Sequence, residues 1–141
     1  MARWAKSMGV TVIGVVSRAG AVARAEAAGC DAVFVWGEAD IPAEVKRLTG
    51  GRGVQVVYDG VGKDTFAASI DSLAQRGIMA SIGASSGPPP AVEVSTLNTK
   101  GSLFLTRPTI VHHAGDVAEY RERAAAVFEA TIAGTIRPEI W

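Results

Sequence analysis

Short apolar runs, rich in β-branched residues, alternate along the chain with segments that carry apolar residues at helical spacing. Three of the runs are almost continuously apolar, a pattern typical of parallel strands that are covered on both faces. This alternation predicts an α/β fold with a doubly wound, mostly parallel sheet and right-handed crossovers. The five predicted strands are Val10–Val16, Ala32–Trp36, Val54–Tyr58, Gly77–Ile82 and Ser102–Arg107.

Two helices are predicted between the first three strands. The Ala-rich segment Arg18–Ala28 is followed by Gly29, a residue that suits the left-handed conformation at which many helices end. The second helix is predicted to begin at Asp40, with Pro42 in its first turn, and to end at Gly50–Gly51. Each helix would connect two successive strands, as the crossover between parallel strands requires.

Two further helices are predicted in the second half of the chain. Asp64 is expected to cap a helix whose apolar face carries Phe66, Ile70 and Leu73. The last helix is expected to run from about Asp116 to Ala133. Its inward-facing candidates are Val117, Tyr120, Val127 and Phe128.

Composition and charge exclude several classes of protein. The chain has 141 residues, with 14 basic and 14 acidic side chains, so it lacks the basic excess of a nucleic-acid-binding protein. An apolar fraction of 48% excludes a disordered chain. No apolar run approaches the ~20 residues of a membrane helix, and the single cysteine, Cys30, excludes a disulfide scaffold. We therefore expect one cytoplasmic domain with no nucleic-acid or membrane partner.

Two glycine-containing segments follow predicted strands, where open α/β sheets bind their ligands. Gly60–Thr65 comes closest to the G-x-G-x-x-G phosphate-binding pattern, but it lacks the third glycine and places Asp64 beside the expected phosphate. A tight turn from strand to helix is the simpler interpretation. The second segment, Gly83–Pro90, is longer than an ordinary connection and rich in Gly, Ser and Pro. The pattern alone identifies no phosphate-binding loop.

Five segments resemble one known family. They are Trp4–Gly14, Leu48–Val54, Val57–Phe66, Gly83–Gly87 and Lys100–Thr109. Together they are similar to zeta-crystallin-like NADPH:quinone oxidoreductases, a zinc-free group of the medium-chain dehydrogenase/reductase superfamily. The resemblance implies a Rossmann-type sheet and the cofactor-binding portion of an enzyme that passes a hydride from NADPH to a quinone or related enone.

The resemblance also implies that parts of the family's enzyme are missing. We expect its first strand, its glycine-rich loop and its catalytic domain to lie upstream of Met1. Residues 1–135 would then be a partial NADP-binding Rossmann domain, and residues 136–141 the start of a return segment to the absent catalytic domain. The fragment is expected to be inactive alone, and no catalytic residue is assigned.

The missing strand is central in the family's sheet order 3-2-1-4-5-6. Val10–Val16 and Ala32–Trp36 are expected to form one half of the sheet, and the other three strands the second half. Each unpaired backbone group facing the gap would cost ~1–3 kcal/mol if buried. We therefore expect the gap to be closed by pairing of Val10–Val16 with Val54–Tyr58, or filled by another chain.

The family's cofactor contacts, transferred position by position, begin near the adenosine 2′-phosphate. Ser17 and Arg18 follow the strand there, and the lack of an acidic residue favours NADP(H) over NAD. Ala21 replaces a lysine common in the family, so Arg18 is expected to bind the phosphate in its place. A solvated arginine is the alternative. Trp36 stands where the family has a tyrosine near this phosphate, or it is an ordinary core or surface aromatic residue.

Further contacts implied by the resemblance involve the two riboses and the nicotinamide. Ala84 replaces an Asn or Gln common in the family, so one side-chain hydrogen bond is expected to be missing. The matched positions are Val61 and Gly62 at the adenine ribose, Gly83, Ala84 and Ser85 at the nicotinamide ribose, and the backbone of Phe104 and Leu105 at the carboxamide. The side chains of the last two equally fit ordinary strand residues.

No metal site is expected. His112 and His113 are adjacent, so they point in different directions on any regular element, and no acidic or cysteine residue stands nearby at ligand spacing. Cys30 lacks a neighbouring base and is interpreted as a small packing residue rather than a nucleophile.

The last predicted strand, Ser102–Arg107, is expected to be an apolar edge strand. Exposed edges of this kind invite pairing with a second sheet, and the resemblance implies a homodimer formed there. Two alternatives to a quinone oxidoreductase stay open: a non-catalytic nucleotide-binding or structural remnant, and a fragment of an enoyl reductase.

Overall fold

The computed structural model describes residues 1–137 and has an α/β fold with parallel sheets, as the sequence predicts. Most of the predicted return segment, residues 138–141, lies outside the described residues. The strands are β1 Ile13–Val16, β2 Ala32–Val35, β3 Val54–Asp59, β4 Leu73–Ser81 and β5 Phe104–Thr106. The helices are α1 Ala2–Ser7, α2 Val22–Ala27 after a 3-10 helix at Ala19–Ala21, α3 Ile41–Leu48, α4 Phe66–Asp71, α5 Val94–Thr99, α6 Ile110–His113 and α7 Val117–Ile132.

The strands form two parallel sheets within the described residues. β1 pairs with β2, with Ile13 opposite Ala32, and the second sheet has the order β3-β4-β5. This division into a two-stranded and a three-stranded half is the predicted one. The chain also divides into two compact units. The first unit is Met1–Ala39 with the chain from Val111 onward, and the second unit is Asp40–Ile110.

The prediction that β1 pairs directly with β3 is wrong. Over residues 1–137, β1 pairs with β2 and β3 pairs with β4, with no ladder between β1 and β3. Each strand takes its partner from within its own unit, so neither ladder continues into the other sheet. The other expectation, a strand supplied by another chain, stays a prediction.

The first unit is held by its small sheet and by polar contacts at Asp31. This carboxylate accepts hydrogen bonds from the Lys6 ammonium and from the Val12 amide (2.8 Å), and the Asp31 amide donates to the Val12 carbonyl (2.7 Å). The hydrogen bond from Lys6, then that from Val12, lowers the pKa of Asp31 below its ordinary value. None of the described residues of this unit is a buried core residue.

The second unit contains the hydrophobic core. Met79 of β4 has no solvent exposure, and Phe66, Ile70, Leu73 and Leu103 pack around it. The apolar helix face predicted for Phe66 and Ile70 is therefore confirmed, whereas Leu73 reaches the same core from the first position of β4. Since β4 is the middle strand of this sheet, the core fixes the strands whose carboxyl ends carry the predicted ligand loops.

The caps of the two longest helices follow the sequence signals. Asp40 caps α3 by accepting a hydrogen bond from the Ala43 amide (3.1 Å). Asp116 caps α7 in the same way through the Glu119 amide (2.9 Å). Both predicted helix starts are confirmed.

The cap predicted at Asp64 is wrong. Thr65 is the N-cap residue of α4, and its side chain makes no capping bond. The Thr65 hydroxyl instead donates to the buried carboxylate of Asp59 (2.8 Å). The turn before α4 is therefore organised by the residue that ends β3, which local capping rules do not consider.

All five strands differ from the predicted bounds by at least one residue, and two of them, β1 and β4, begin three or four residues from the predicted start. The amide of Val10 is bound to the Ala5 carbonyl (3.1 Å) at the end of α1, so β1 begins only at Ile13. β4 begins earlier than predicted, because Leu73 pairs with Val54 before a register shift in the ladder. Apolar runs therefore located these strands but not their ends.

The apolar side chains predicted to face inward from α7 are exposed instead. The exposed fractions are 62% for Val117, 54% for Tyr120, 43% for Val127 and 67% for Phe128. The helix itself is confirmed. Helical spacing identifies an apolar face, but it does not show whether another element covers that face.

Candidate functional site

Three of the predicted cofactor contacts lie together in the first unit. Ser17 and Arg18 directly follow β1, and Trp36 directly follows β2, where its amide donates to the Val16 carbonyl (2.8 Å). Because β1 and β2 are parallel, these residues lie at the same edge of one sheet. Arg18 is exposed and Trp36 is 38% exposed, so both side chains are accessible to a ligand.

In the second unit, the turn after β3 is organised around the buried carboxylate of Asp59. Its Oδ1 accepts hydrogen bonds from the amides of Val61 (2.8 Å) and Gly62 (2.9 Å). Its Oδ2 accepts from the hydroxyls of Ser69 (2.7 Å) and Thr65 (2.8 Å). One acidic residue therefore sets the course of the turn from strand to helix.

Hydrogen bonding keeps this carboxylate ionised. Burial acts to raise the pKa of Asp59, but the hydrogen bonds from Gly62, Ser69, Thr65 and Val61 outweigh it and lower the pKa below its ordinary value. An ionised carboxylate only accepts hydrogen bonds. Asp59 therefore positions the turn rather than acting as a proton donor.

The turn after β3 packs against the loop after β4, backbone against backbone. Gly62 has a φ of +90°, and a Cβ there would lie 2.5 Å from the Gly87 carbonyl oxygen. A Cβ on Gly83 would lie 2.4 Å from the Gly60 carbonyl oxygen. Only glycine permits approaches this close. Gly62, a glycine of the segment closest to a phosphate-binding pattern, thus allows this loop to pack against the loop after β4.

Ser86 fastens the two loops together. Its hydroxyl donates to the Val61 carbonyl (2.9 Å) and accepts from the Asp64 amide (3.0 Å), and its amide donates to the same Val61 carbonyl (2.9 Å). The Lys63 amide adds a hydrogen bond to the Gly87 carbonyl (3.0 Å). Together, residues 60–65 and 83–87 form one surface, which we call the paired loops.

Two amides of the paired loops are open to a ligand. The hydrogen bonds described for residues 1–137 engage neither the Gly60 amide nor the Ala84 amide. Their neighbours are all bound: the amides of Val61 and Gly62 donate to the Asp59 carboxylate, and the Ser85 amide donates to the Gly60 carbonyl. Backbone amides at the carboxyl ends of parallel strands are suited to bind the oxygens of a polar ligand.

Arg107 follows β5 and binds the end of β4 and the loop after it. Its Nη1 donates to the Ser81 hydroxyl (3.0 Å), the Ser81 carbonyl (3.5 Å) and the Gly83 carbonyl (3.2 Å). Arg107 therefore ties the third strand of this sheet to the paired loops.

The two predicted contacts on β5 differ in exposure. Phe104 lies opposite Ile78 and is 60% exposed, whereas Leu105 lies opposite Met79 and is half-buried against the core. Both residues lie on the edge strand of the three-stranded sheet, next to β4, the strand that leads into the second of the paired loops.

The second unit brings most of the predicted contacts together. They occupy adjacent loops and an adjacent strand: Val61, Gly62, Gly83, Ala84, Ser85, Phe104 and Leu105. Ser17, Arg18 and Trp36 form the separate group of the first unit.

Sequence reasoning did not identify Asp59, Ser86 or Arg107 as site residues. For Asp59 a signal exists, since an acidic residue directly after a buried strand needs donors from the following turn. For Ser86 and Arg107 no local signal exists, because their partners Val61 and Gly83 lie more than twenty residues away along the chain.

The remaining chemical candidates carry no catalytic arrangement. A Cβ on Gly14 would lie 2.9 Å from the Cys30 Sγ, so this thiol packs closely against β1. Burial, then the charge of Asp31, raises the pKa of the Cys30 thiol, which disfavours the nucleophilic thiolate.

Metal-ligating and membrane-spanning features are both missing from the described part of the chain. Over residues 1–137, no three His, Cys, Asp or Glu side chains lie close enough together to hold a metal ion. None of the helices there combines the length and the apolarity that crossing a bilayer requires.

A groove of about 420 Å³ lies at the opposite end of the three-stranded sheet from the paired loops. Its charged lining comes from Asp40, Lys46, Arg52, Asp71 and Lys100, and Lys100 is ion-paired with Asp71 (2.5 Å). The candidate site is thus the surface of the paired loops, and the groove is separate from it.

Comparisons with known proteins show which proteins this chain is similar to. The family model for zinc-binding dehydrogenases matches residues 1–130. The chain is 41% identical over 138 residues to a quinone oxidoreductase of Salmonella typhimurium, covering 98% of the chain and 42% of the relative. It is 38% identical over 141 residues to a 2-haloacrylate reductase of a Burkholderia species, covering 99% of the chain and 42% of the relative.

Solved structures give a similar result. A mycobacterial protein complexed with NADPH matches with a TM-score of 0.94 and 43% identity, over 99% of this chain and 44% of its own. Escherichia coli quinone oxidoreductase complexed with NADPH matches with a TM-score of 0.93 and 38% identity, over 99% of this chain and 43% of its own. The chain spans about 42% of the length of the curated relatives.

Proposed function

The chain belongs to the zinc-binding dehydrogenase family, and on this premise we propose that it is the NADPH-binding portion of a quinone oxidoreductase. The parent enzyme would transfer a hydride from NADPH to a quinone or a related enone. Residues 1–135 would form a partial cofactor-binding domain, and residues 136–141 would lead towards a catalytic domain. Turnover by this portion alone is not expected.

The observation that carries this proposal is the construction of the paired loops. Two glycines bring the loop backbones into contact, and Asp59 and Ser86 hold them there. The amides of Gly60 and Ala84 are left as donors at the carboxyl ends of β3 and β4. This arrangement suits the ribose and carboxamide oxygens of a dinucleotide, so the residues present fit the cofactor.

We assign the cofactor contacts as follows. Ser17, Arg18 and Trp36 of the first unit would contact the adenosine 2′-phosphate. The remaining contacts would be Val61 and Gly62 with the adenine ribose, Gly83, Ala84 and Ser85 with the nicotinamide ribose, and the backbone of Phe104 and Leu105 with the carboxamide. Arg18 is exposed, and no acidic side chain adjoins it in sequence, which supports NADP(H) over NAD.

The chain's own contribution to the reaction would be binding and orientation. The cofactor, when bound, supplies the hydride. The backbone amides of the paired loops would fix the orientation of the nicotinamide ribose, and the backbone of Phe104 and Leu105 would hold the carboxamide. Asp59 stays ionised and fully occupied by its four neighbours, so it maintains the loop geometry without entering the chemistry.

The test is a fluorescence titration of the full chain with NADPH and with NADH. Weak NADPH binding that is tighter than NADH binding is expected. Arg18→Glu should abolish the preference, because a carboxylate repels the 2′-phosphate. Arg24→Glu on α2 is the matched control, with the same charge change outside the assigned contacts. Failure of the chain to bind either nucleotide would leave the structural remnant as the better reading.

A second substrate class has support from one relative. The Burkholderia protein is named a 2-haloacrylate reductase, and an acrylate, like an enone, has a carbon–carbon double bond activated by a carbonyl group. An enoyl reductase acting on thioesters belongs to the same chemistry. Assays of the parent enzyme with a quinone, an enone and an enoyl thioester would separate these three substrates.

We also propose a homodimer formed through the strand predicted at Ser102–Arg107. β5 is an edge strand, and Phe104 on it is 60% exposed. An uncovered edge strand favours pairing with a second copy. Light scattering at high micromolar concentration should give the dimer mass, and a monomer mass would remove this proposal.

A cytoplasmic location is proposed as well, because Cys30 is the only cysteine and cannot form a disulfide within the chain. Subcellular fractionation would test it.

A further inference from the structure

The guanidinium of Arg107 holds the carbonyl side of the peptide group between Gly83 and Ala84. Nη1 donates to the Gly83 carbonyl (3.2 Å) and is itself anchored by the buried Ser81, through its hydroxyl (3.0 Å) and its carbonyl (3.5 Å). The Gly83 backbone is also confined at its Cα, where the Gly60 carbonyl leaves no room for a Cβ. The position of this carbonyl is therefore fixed by two neighbours.

The amide of Ala84 belongs to the same peptide group. A trans peptide is planar, so its carbonyl and its N–H point in opposite directions and turn together. The Ala84 amide takes part in none of the hydrogen bonds described for residues 1–137, whereas Ser85 and Ser86 both donate within the paired loops. Fixing the Gly83 carbonyl thereby fixes the direction of the one backbone donor of residues 83–87 that forms no hydrogen bond within the described chain.

We propose that Arg107 is a positioning residue that aims the Ala84 amide at an oxygen of the nicotinamide half of NADPH. The inference rests on the proposed function and adds a residue outside the assigned contacts. A cation bound to a peptide carbonyl also polarises the group and strengthens its N–H as a donor. The backbone donor can serve here because Ala84 has no side chain able to form a hydrogen bond.

The test compares two ligands of the full chain. NADPH contains the nicotinamide half, whereas adenosine 2′,5′-bisphosphate has only the adenosine end. Arg107→Met should weaken NADPH binding about tenfold, the effect of losing one well-placed hydrogen bond, and leave bisphosphate binding unchanged. Arg107→Lys keeps a cationic donor and should lose less. Arg52→Met is the matched control, since Arg52 also donates to a backbone carbonyl, that of Thr49 (3.1 Å), at the far end of β3.

Amide hydrogen exchange at Ser86 separates positioning from a structural role. Its amide donates to Val61, and Arg107 donates only to Ser81 and Gly83 among the described hydrogen bonds, so the exchange rate of the Ser86 amide should be unchanged in Arg107→Met. Faster exchange, or equal weakening of both ligands, would mean that the loop has come loose and would overturn the positioning role. Unchanged NADPH binding would also overturn it. A wild-type chain that binds NADPH no more tightly than the bisphosphate removes this inference alone, while one that binds neither removes the proposed function too.

Discussion

The two units of the chain have similar apolar strand patterns but differ in how far their apolar side chains are buried. Both contain parallel strands made from nearly continuous apolar runs. The second unit buries a cluster of apolar side chains around Met79, whereas the first has no buried core residue among those described and exposes the apolar face of α7. Apolar pattern therefore determines which segments become strands and helices, while burial depends on which other elements cover them.

The largest effect is expected from truncating the core of the second unit. Met79 has no exposure, so Met79→Ala should lower the free energy of unfolding by about 2–5 kcal/mol through lost burial and a residual cavity. Phe34→Ala on the half-buried β2 is the matched change in the first unit and should cost less. Urea denaturation measures both. An equal or larger loss for Phe34→Ala would show that the two units are stabilised alike.

The next effect concerns the contact between the paired loops. Gly62→Ala should destabilise the chain by about 3 kcal/mol, because alanine is strained at positive φ and its Cβ would overlap the Gly87 carbonyl. NADPH binding should weaken at the same time. Gly60→Ala is the control, since its Cβ would meet no atom within 4 Å. Similar melting temperatures for the two variants would contradict the close packing of these loops.

A smaller, pH-dependent effect is expected at Asp59. Its folded pKa lies below its ordinary value, so its ionised form stabilises the fold above the unfolded pKa of about 3.9, and that stabilisation disappears as pH falls through the folded pKa. Asp59→Asn should cost about 2 kcal/mol at neutral pH, and the gap to wild type should close below about pH 4. Asp64→Asn, an exposed neighbour, is the control. A gap that persists in acid would mean that charge is not what holds the turn.

The smallest effect is expected from the corresponding carboxylate of the first unit. Asp31 also has a lowered pKa, through Lys6 and Val12, but it lies in solvent. Asp31→Asn should shift the urea midpoint in the same direction as Asp59→Asn but by less, and salt should reduce the shift further. A shift as large as that of Asp59→Asn would show that the exposed Asp31 stabilises the fold as much as the buried Asp59 does.

The fold was predictable from the sequence to the extent that its signals are local. The strands, the caps at Asp40 and Asp116 and the face of Phe66 and Ile70 all follow from neighbouring residues. The cap expected at Asp64 failed because Thr65 is bound to a residue on the preceding strand. The prediction that the apolar face of α7 points inward was wrong, because the sequence of a helix does not show whether another element packs against it.

The candidate site was predictable only in part for the same reason. Family resemblance pointed to Gly62 and Gly83. The structure shows that both residues allow the backbones of the paired loops to approach each other closely. The fastening of Ser86 to Val61 and of Arg107 to Gly83 joins residues far apart along the chain, so no spacing pattern reveals it. The separation of the strands into two ladders was predicted from sheet order, and the pairing of β1 with β3 was not borne out.

The most direct measurement of the central claim is an NMR titration of the isotope-labelled chain with NADPH, followed at each amide. Binding by the paired loops predicts that the signals of Gly60 and Ala84 shift most within the second unit, together with Ser17 and Arg18 in the first. Shifts confined to the groove lined by Lys46, Arg52 and Lys100, or no shifts at all, would contradict the assignment of this chain as a nicotinamide-nucleotide-binding portion.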